Sequence, residues 1–284
     1  MVNGQDAGRV DRDGRKRSVH AGHRRFDATA GAFLVSALLC TGRPALGQSV
    51  EDAAQLLSGG DRSQLEMGIQ SLGLIGSAEA LPPLAQRIRA GLPPDLLETA
   101  IITVAALGQK DAGGLLFELM SHRRPLIRLR TVEAIIALQP DGAEAGLVAA
   151  LSDSDLQVRD AAARGLGEFG TPGSLDVLYQ ALDKGNMEAS KAIGRLTPPS
   201  QIRRITGYLG RIPLRSLRSA FTEVLRRRDV SVKTKLQTVG ILQEVGTPEV
   251  RDFFNDVLAS ATDDDPLHPK VGKALLTAIR GIPD

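Results

Sequence analysis

The chain has 284 residues, 3% aromatic side chains, no Trp and two Tyr, a composition too poor in large rings for a sandwich or one thick core. The formal charge of +2 hides a split: residues 1–47 carry eight Lys/Arg against four Asp/Glu, and residues 48–284 carry 27 against 29. The near-neutral body excludes a strongly basic nucleic-acid-binding domain, and the lone Cys40 excludes a disulfide framework.

In chain order, the first segment reads as an export signal. Arg15-Lys16-Arg17 and Arg24-Arg25 precede an apolar run at 30–40, and Gly42 and Pro44 then break it. Small residues at Ala45 and Gly47 place a cut before Gln48. An apolar run of this length falls short of the roughly 20 residues that a membrane-spanning helix needs. The sequence therefore predicts a signal segment at 1–47, a mature chain at 48–284 without a transmembrane span, and a periplasmic or secreted address. Removal of 1–47 would also remove Cys40, and with it any thiolate ligand.

From Glu51 onward, leucine–glycine–x–apolar–glycine recurs at helix ends: Leu72-Gly73-Leu74-Ile75-Gly76 and Leu166-Gly167-Glu168-Phe169-Gly170, with Leu242-Gln243-Glu244-Val245-Gly246 nearly whole. Weaker endings stand at Leu107-Gly108, Leu138 and Ile193-Gly194, so successive endings at 72, 107, 138, 166 and 193 lie 35, 31, 28 and 27 residues apart. That is the period of a helix-hairpin array. Ser77, Thr171-Pro172, Thr197-Pro198 and Thr247-Pro248 follow the endings as caps for second helices. These helices carry stripes such as Leu81, Leu84 and Ile88, or Ile202, Ile205 and Leu209.

The best-kept copy is residues 154–182. Ser154 or Asp155 caps its first helix, whose buried stripe is Val158, Ala162 and Leu166. Gly167 and Gly170 end it in the left-handed region, and the second helix buries Leu175, Leu178 and Leu182. Regularity fails at 210–229, where Leu214, Leu217, Phe221, Val224 and Leu225 mark a helix that is either a third member of one unit or a worn repeat. A last helix spans 269–280, after the acidic run 263–265, which reads as a solvated loop.

Val158-Arg159-Asp160-Ala161-Ala162-Ala163, with the ending 166–170 and Pro172, resembles the HEAT repeats, specifically the short HEAT-like type of the phycobilisome lyases. The resemblance implies an all-α, right-handed α-solenoid of about 6–7 stacked antiparallel helix pairs, whose second helices line a concave face that grips a partner. Ile127-Arg128-Leu129-Arg130 fits the pattern only with a one-residue slip.

No set of residues specifies a reaction. The body holds only His122 and His268, 146 residues apart, and neither a metal-ligand spacing nor a phosphate loop is written. No catalytic residue, cofactor or metal is expected. The distinctive surface is 201–235, with ten Lys/Arg against two acids. On a helix, Arg204, Tyr208 and Arg211 share the face opposite Ile202, Ile205 and Leu209, while Arg215, Arg218 and Arg226 flank the next stripe. An exposed Tyr between arginines has the composition of a binding hot spot. The sequence thus points to an exported, non-enzymatic scaffold that binds a protein, with this basic patch assisting and no nucleic acid expected. The alternatives are a helper or subunit of a lyase-type enzyme, which the resemblance alone suggests, and nucleic-acid or anionic-surface binding through the patch.

Overall fold

A computed structural model describes residues 49–262 and 267–283 of the chain. The predicted signal segment and the acidic run 263–265 lie outside the described residues. The remainder belongs to one structural unit, Leu46–Asp284. The described residues are arranged as an α-solenoid, a ladder of helices in two layers.

One layer contains α2 (Arg62–Ile75), α4 (Pro94–Ala106), α6 (Pro125–Leu138), α8 (Leu156–Phe169), α10 (Glu188–Leu196), α12 (Leu214–Arg226) and α14 (Pro248–Ala259). The other holds α1 (Val50–Ser58), α3 (Leu81–Ala90), α5 (Gly113–Leu119), α7 (Ala143–Ala150), α9 (Leu175–Asp183), α11 (Arg203–Thr206), α13 (Val232–Val245) and α15 (Pro269–Gly281). Each even-numbered helix packs on the next even-numbered one from α2 to α14. The odd helices α5, α7 and α9 each pack on the even helix that follows. The hairpin at 154–182 is thus a unit of sequence more than of packing: α9 leans on α10, and α8 on α6, α7 and α10.

Small residues set the close spacing of the even layer. A side chain at Gly167 would meet the Cα of Ala192 at 3.1 Å, and one at Gly194 would meet the Ala220 carbonyl oxygen at 2.5 Å. These glycines sit inside helices because the neighbouring backbone leaves no room for a Cβ. This corrects two expectations. Gly167 and Gly194 do not end helices: α8 continues to Phe169 and α10 to Leu196. Gly170 is extended (φ −64°), and its side chain would strike the Leu166 carbonyl oxygen at 2.5 Å. The left-handed ending occurs at Gly76 and Gly246, both at φ 66°.

With the helix ends in view, the repeat is more even than its leucines suggest. The even helices from α2 to α10 finish at 75, 106, 138, 169 and 196, spacings of 31, 32, 31 and 27 residues. Leu107 and Leu138 close their helices, whereas Leu72, Leu166 and Ile193 stand three residues before the end. The leucine endings compare different positions within the repeat. Nor does Ile127-Arg128 need a slip. Arg128 and Arg159 each occupy the fourth position of a 14-residue helix and donate to a loop carbonyl six residues back, His122 and Asp153.

Caps follow the sequence in part. Asp155, not Ser154, caps α8, accepting from the N–H groups of Gln157 and Val158. Thr171 caps a 3-10 turn, Pro172–Ser174, that leads into α9. Glu144 of α7 reads this turn from the preceding repeat. Its Oε1 accepts from the Thr171 N–H (2.9 Å), the Thr171 hydroxyl (2.8 Å) and the Ser174 hydroxyl (2.6 Å). These bonds, the Ser174 hydroxyl first, hold its carboxyl below the usual range. Ser77 and Thr247 make no side-chain capping bond. The stripes fall where expected, with Val158, Ala162, Leu166, Leu175, Leu178 and Leu182 all buried. So is Tyr179, which the leucine count passes over.

The irregular stretch is not a third helix of one unit but a repeat whose odd-layer helix, α11, is worn down to four residues. α12 takes the next place in the even layer, packed on α10, and α14 follows it. Phe221 and Phe253 meet there with ring centroids 6.4 Å apart. α13 and α15 pack together in the odd layer. The ending–restart motif at 242–248, which at α8–α9 leads from the even to the odd layer, here leads from odd to even.

Candidate functional site

The basic stretch is not built on the helix expected of it, although Arg204, Tyr208 and Arg211 do meet in one stack with Tyr179. Pro198-Pro199 limit the start of the odd-layer helix and Gly207 follows its end. The result is a 3-10 turn, Pro199–Gln201, and the four-residue α11, after which Gly210 (φ 82°) turns the chain toward Pro213. A helix ending at Thr206 cannot carry Arg204, Tyr208 and Arg211 on one face. Ile202 and Ile205 are buried as expected, while Leu209 is half-buried beside Ile212.

Tyr208 is not an exposed anchor. It packs on the core and stacks on Tyr179 of α9, with centroids 4.6 Å apart and planes 22° apart. Arg204 lies over the Tyr179 ring at 4.2 Å and donates to Asp176 at 2.7 Å. Arg211 lies 4.7 Å over the Tyr208 ring. Each guanidinium covers an aromatic face that would otherwise meet water. Burial pushes the Tyr179 hydroxyl up to about 12, so it stays protonated at neutral pH.

The arginines of α12 divide in the same way. Arg218 pairs with Asp256 of α14 beside the Phe253 ring. Arg226 donates to the carbonyl and hydroxyl oxygens of Ser260, both at 2.7 Å. Arg227, at the end of the helix, donates to the Gly194 and Thr197 carbonyls at 2.9 and 2.6 Å. These side chains stitch α12 to α10 and α14. Of the six candidate residues, only Arg215 is exposed without an internal partner among the described residues.

Elsewhere, too, charge joins neighbouring repeats. Arg62 pairs with Asp95, Arg89 with Glu118, and Arg130 with Glu98. A well-covered pair is Arg128–Asp153, with side chains 11% and 12% exposed. The guanidinium meets the carboxylate through two bonds of 2.7 and 2.6 Å, and the Asp155 N–H adds a third at 2.8 Å. The Arg128 hydrogen bond in particular holds the Asp153 carboxyl below its usual range. The two histidines are built into loops rather than simply solvated. Nδ1 of His122 accepts from the Arg124 N–H, and Nδ1 of His268 from the Lys270 N–H at the start of α15, both at 3.2 Å. Among the described residues, no three His, Cys, Asp or Glu side chains cluster so as to hold a metal. Nor is any helix there long and apolar enough to cross a membrane.

What the sequence missed is a consequence of the short α11. α13 has 14 residues and its odd-layer predecessor four. An open cleft of about 560 Å³ lies between them. Ile202, Arg203 and Thr206 line one wall, and Gln237, Gly240 and Glu244 line the other. Arg203, Gln237 and Glu244 are exposed and have no side-chain partner among the described residues. Gly240 lies in the middle of α13, yet a Cβ built on it would meet nothing within 4 Å. Proline and glycine around α11 were the available signal, but the gap itself depends on the helix opposite.

Comparison with known proteins agrees with the architecture. A family model described as HEAT repeats matches residues 113–197, the span from α5 to α10. No curated protein matches the sequence. Among solved structures, the CpcE–CpcF complex of phycocyanin lyase from Nostoc sp. PCC7120 is similar at 15% identity and TM-score 0.45, covering 86% of this chain and 97% of that one. A designed armadillo repeat protein is similar at 17% identity and TM-score 0.40, covering 83% of this chain and 100% of that one. Another, solved in complex with the peptide (KR)4, has 16% identity and TM-score 0.39, with 82% and 100% covered. Residues 113–197 thus match HEAT repeats and lie within a longer α-solenoid.

Proposed function

We propose that the chain is an exported, non-enzymatic scaffold that docks a protein partner in the cleft between α11 and α13. The observation that carries this reading is the cleft itself. Between a four-residue helix and a 14-residue one it presents an arginine, an amide and a carboxylate with no internal partner among the described residues. Such groups are available to a partner without first breaking a bond within the fold. Arg211 and Arg215 keep exposed guanidinium groups and would raise the encounter rate with an acidic partner. The basic run before an apolar segment supports export.

The test is site-specific photocrosslinking in the source cells, with the photoreactive side chain at Gln237 and, for comparison, at the exposed Leu276 of α15. A protein caught from Gln237 and not from Leu276 supports the reading; equal or no capture overturns docking at the cleft. N-terminal sequencing of the exported protein should begin at or near Gln48. An intact Met1 on cytoplasmic protein would remove the address.

A further inference from the structure

We infer that the cleft takes an extended polypeptide segment, laid over Gly240 and read through Gln237, with an acidic side chain toward Arg203 and a basic one toward Glu244. The inference rests on the scaffold reading and specifies the form and charge of what the scaffold holds.

Its first support is Gly240. Glycine in a helix interior is unfavourable and usually has a packing reason. At Gly167 and Gly194 the reason is visible, since neighbouring backbone lies 2.5–3.1 Å from where a side chain would begin. At Gly240, as at Gly114 and Gly272, nothing lies within 4 Å of where a side chain would begin, and of these three Gly240 lines the cleft. A bare stretch of helix backbone lets another backbone approach more closely than any side chain would allow.

The second support is the chemistry one turn to either side. Gln237 carries two N–H donors and a carbonyl acceptor, the complement of a peptide group, and none of them is engaged within the fold. Glu244 lies four residues beyond Gly240, on the same face of α13 as Gln237 and Ile241. Arg203 stands on the opposite wall. The walls therefore offer one cation and one anion that do not pair with each other. This favours a segment bearing both signs over a polyanion, which Glu244 would repel.

Hydrogen bonding also favours an extended chain. An extended segment exposes its peptide groups to a flanking amide, which a helix satisfies internally.

The experiment uses the full chain and random dodecapeptides displayed on phage, with Gly240→Met as counter-selection. Methionine suits a helix and would fill the open space, so the fold should melt within a few degrees of the parent while peptide affinity falls about tenfold or more. Enriched peptides should carry one acidic and one basic residue. Arg203→Glu should weaken them about tenfold, and changing the peptide's acidic residue to Lys should restore binding to that variant. N-methylation along the peptide should reveal one sensitive amide in the parent that loses its sensitivity in Gln237→Ala. Equal binding to Gly240→Met, or no charge-swap rescue, overturns the inference. If Gly240→Met melts early, the charge swap, which leaves the backbone unchanged, decides. A partner crosslinked from Gln237 alongside failure of every peptide arm would refute the extended segment and leave the scaffold standing. Absence of the crosslink would refute docking at the cleft.

Discussion

The stretch from α2 to α10 and the stretch from α11 to α13 follow the same plan of alternating helices but use their residues differently. In the first, glycine and alanine draw even-layer helices together, and ion pairs run from repeat to repeat. In the second, the odd-layer helix shrinks to four residues. Of the arginines that make this stretch stand out in the sequence, Arg218, Arg226 and Arg227 hold α12 in place, and Arg204 and Arg211 cover tyrosine rings. Arg203 faces the cleft, and Arg215 is exposed outside it. A local excess of charge is thus a poor guide to a binding surface until the internal partners of each charge are known.

This contrast can be broken, most forcefully in the closely packed half. Leu166 is fully buried, and Leu166→Ala should destabilise the chain by about 3–5 kcal/mol through lost transfer energy and a residual cavity. A loss below about 0.5 kcal/mol, the range of surface substitutions, would mean that the repeat interior is misassigned. Gly194→Val should cost about 2–3 kcal/mol, because its new atoms would meet backbone of α12 rather than a yielding side chain. Both effects are read by denaturant unfolding.

Asp153→Asn tests the charge links and should cost about 2 kcal/mol near neutral pH, since Arg128 loses its charged partner in a nearly dry site. The sign with pH follows from the direction of the shift. The folded carboxyl titrates below the unfolded one, so its stabilisation is full above an unfolded value of about 4 and fades as pH falls through the folded value. The variant should therefore differ most from the parent above that range and converge with it in acid. A constant difference down to low pH would assign the effect to packing.

The smallest effect should have the opposite sign. Gly240→Ala adds a methyl group where nothing stands within 4 Å and should stabilise by about 0.5–1 kcal/mol, as alanine replacing glycine in an open helix does. Destabilisation instead would mean that the face is covered, and the two regions would no longer differ.

Most of the fold was legible because stacking helices need periodic apolar stripes, and those stripes are local. Val158, Ala162 and Leu166 name their helix without any knowledge of what lies opposite. The glycines were legible as punctuation but not by role. A glycine demanded by positive φ, such as Gly76, and one demanded by a neighbour 30 residues away, such as Gly194, look alike in sequence. α1 was missed because its boundary signal is one short capping box, Ser49 with Asp52, without the leucine–glycine ending. The geometry of the arginine patch was not legible because its helical projection assumed a helix that Gly207 stops. The cleft was hidden for a related reason: it is a difference in length between two helices that are not consecutive.

The ending–restart motif at 242–248 has one more consequence. It resembles the junction at 166–172, yet it passes between the layers in the opposite sense. Sequence phase and structural phase have slipped by half a unit across α12, as a zip misaligned by one tooth still closes. A hairpin copied from 154–182 into 231–260 would match its host in spelling and be turned inside out in place. Its intended even-layer face would meet the odd layer. Modules of this chain should therefore be exchangeable on either side of α12 but not across it.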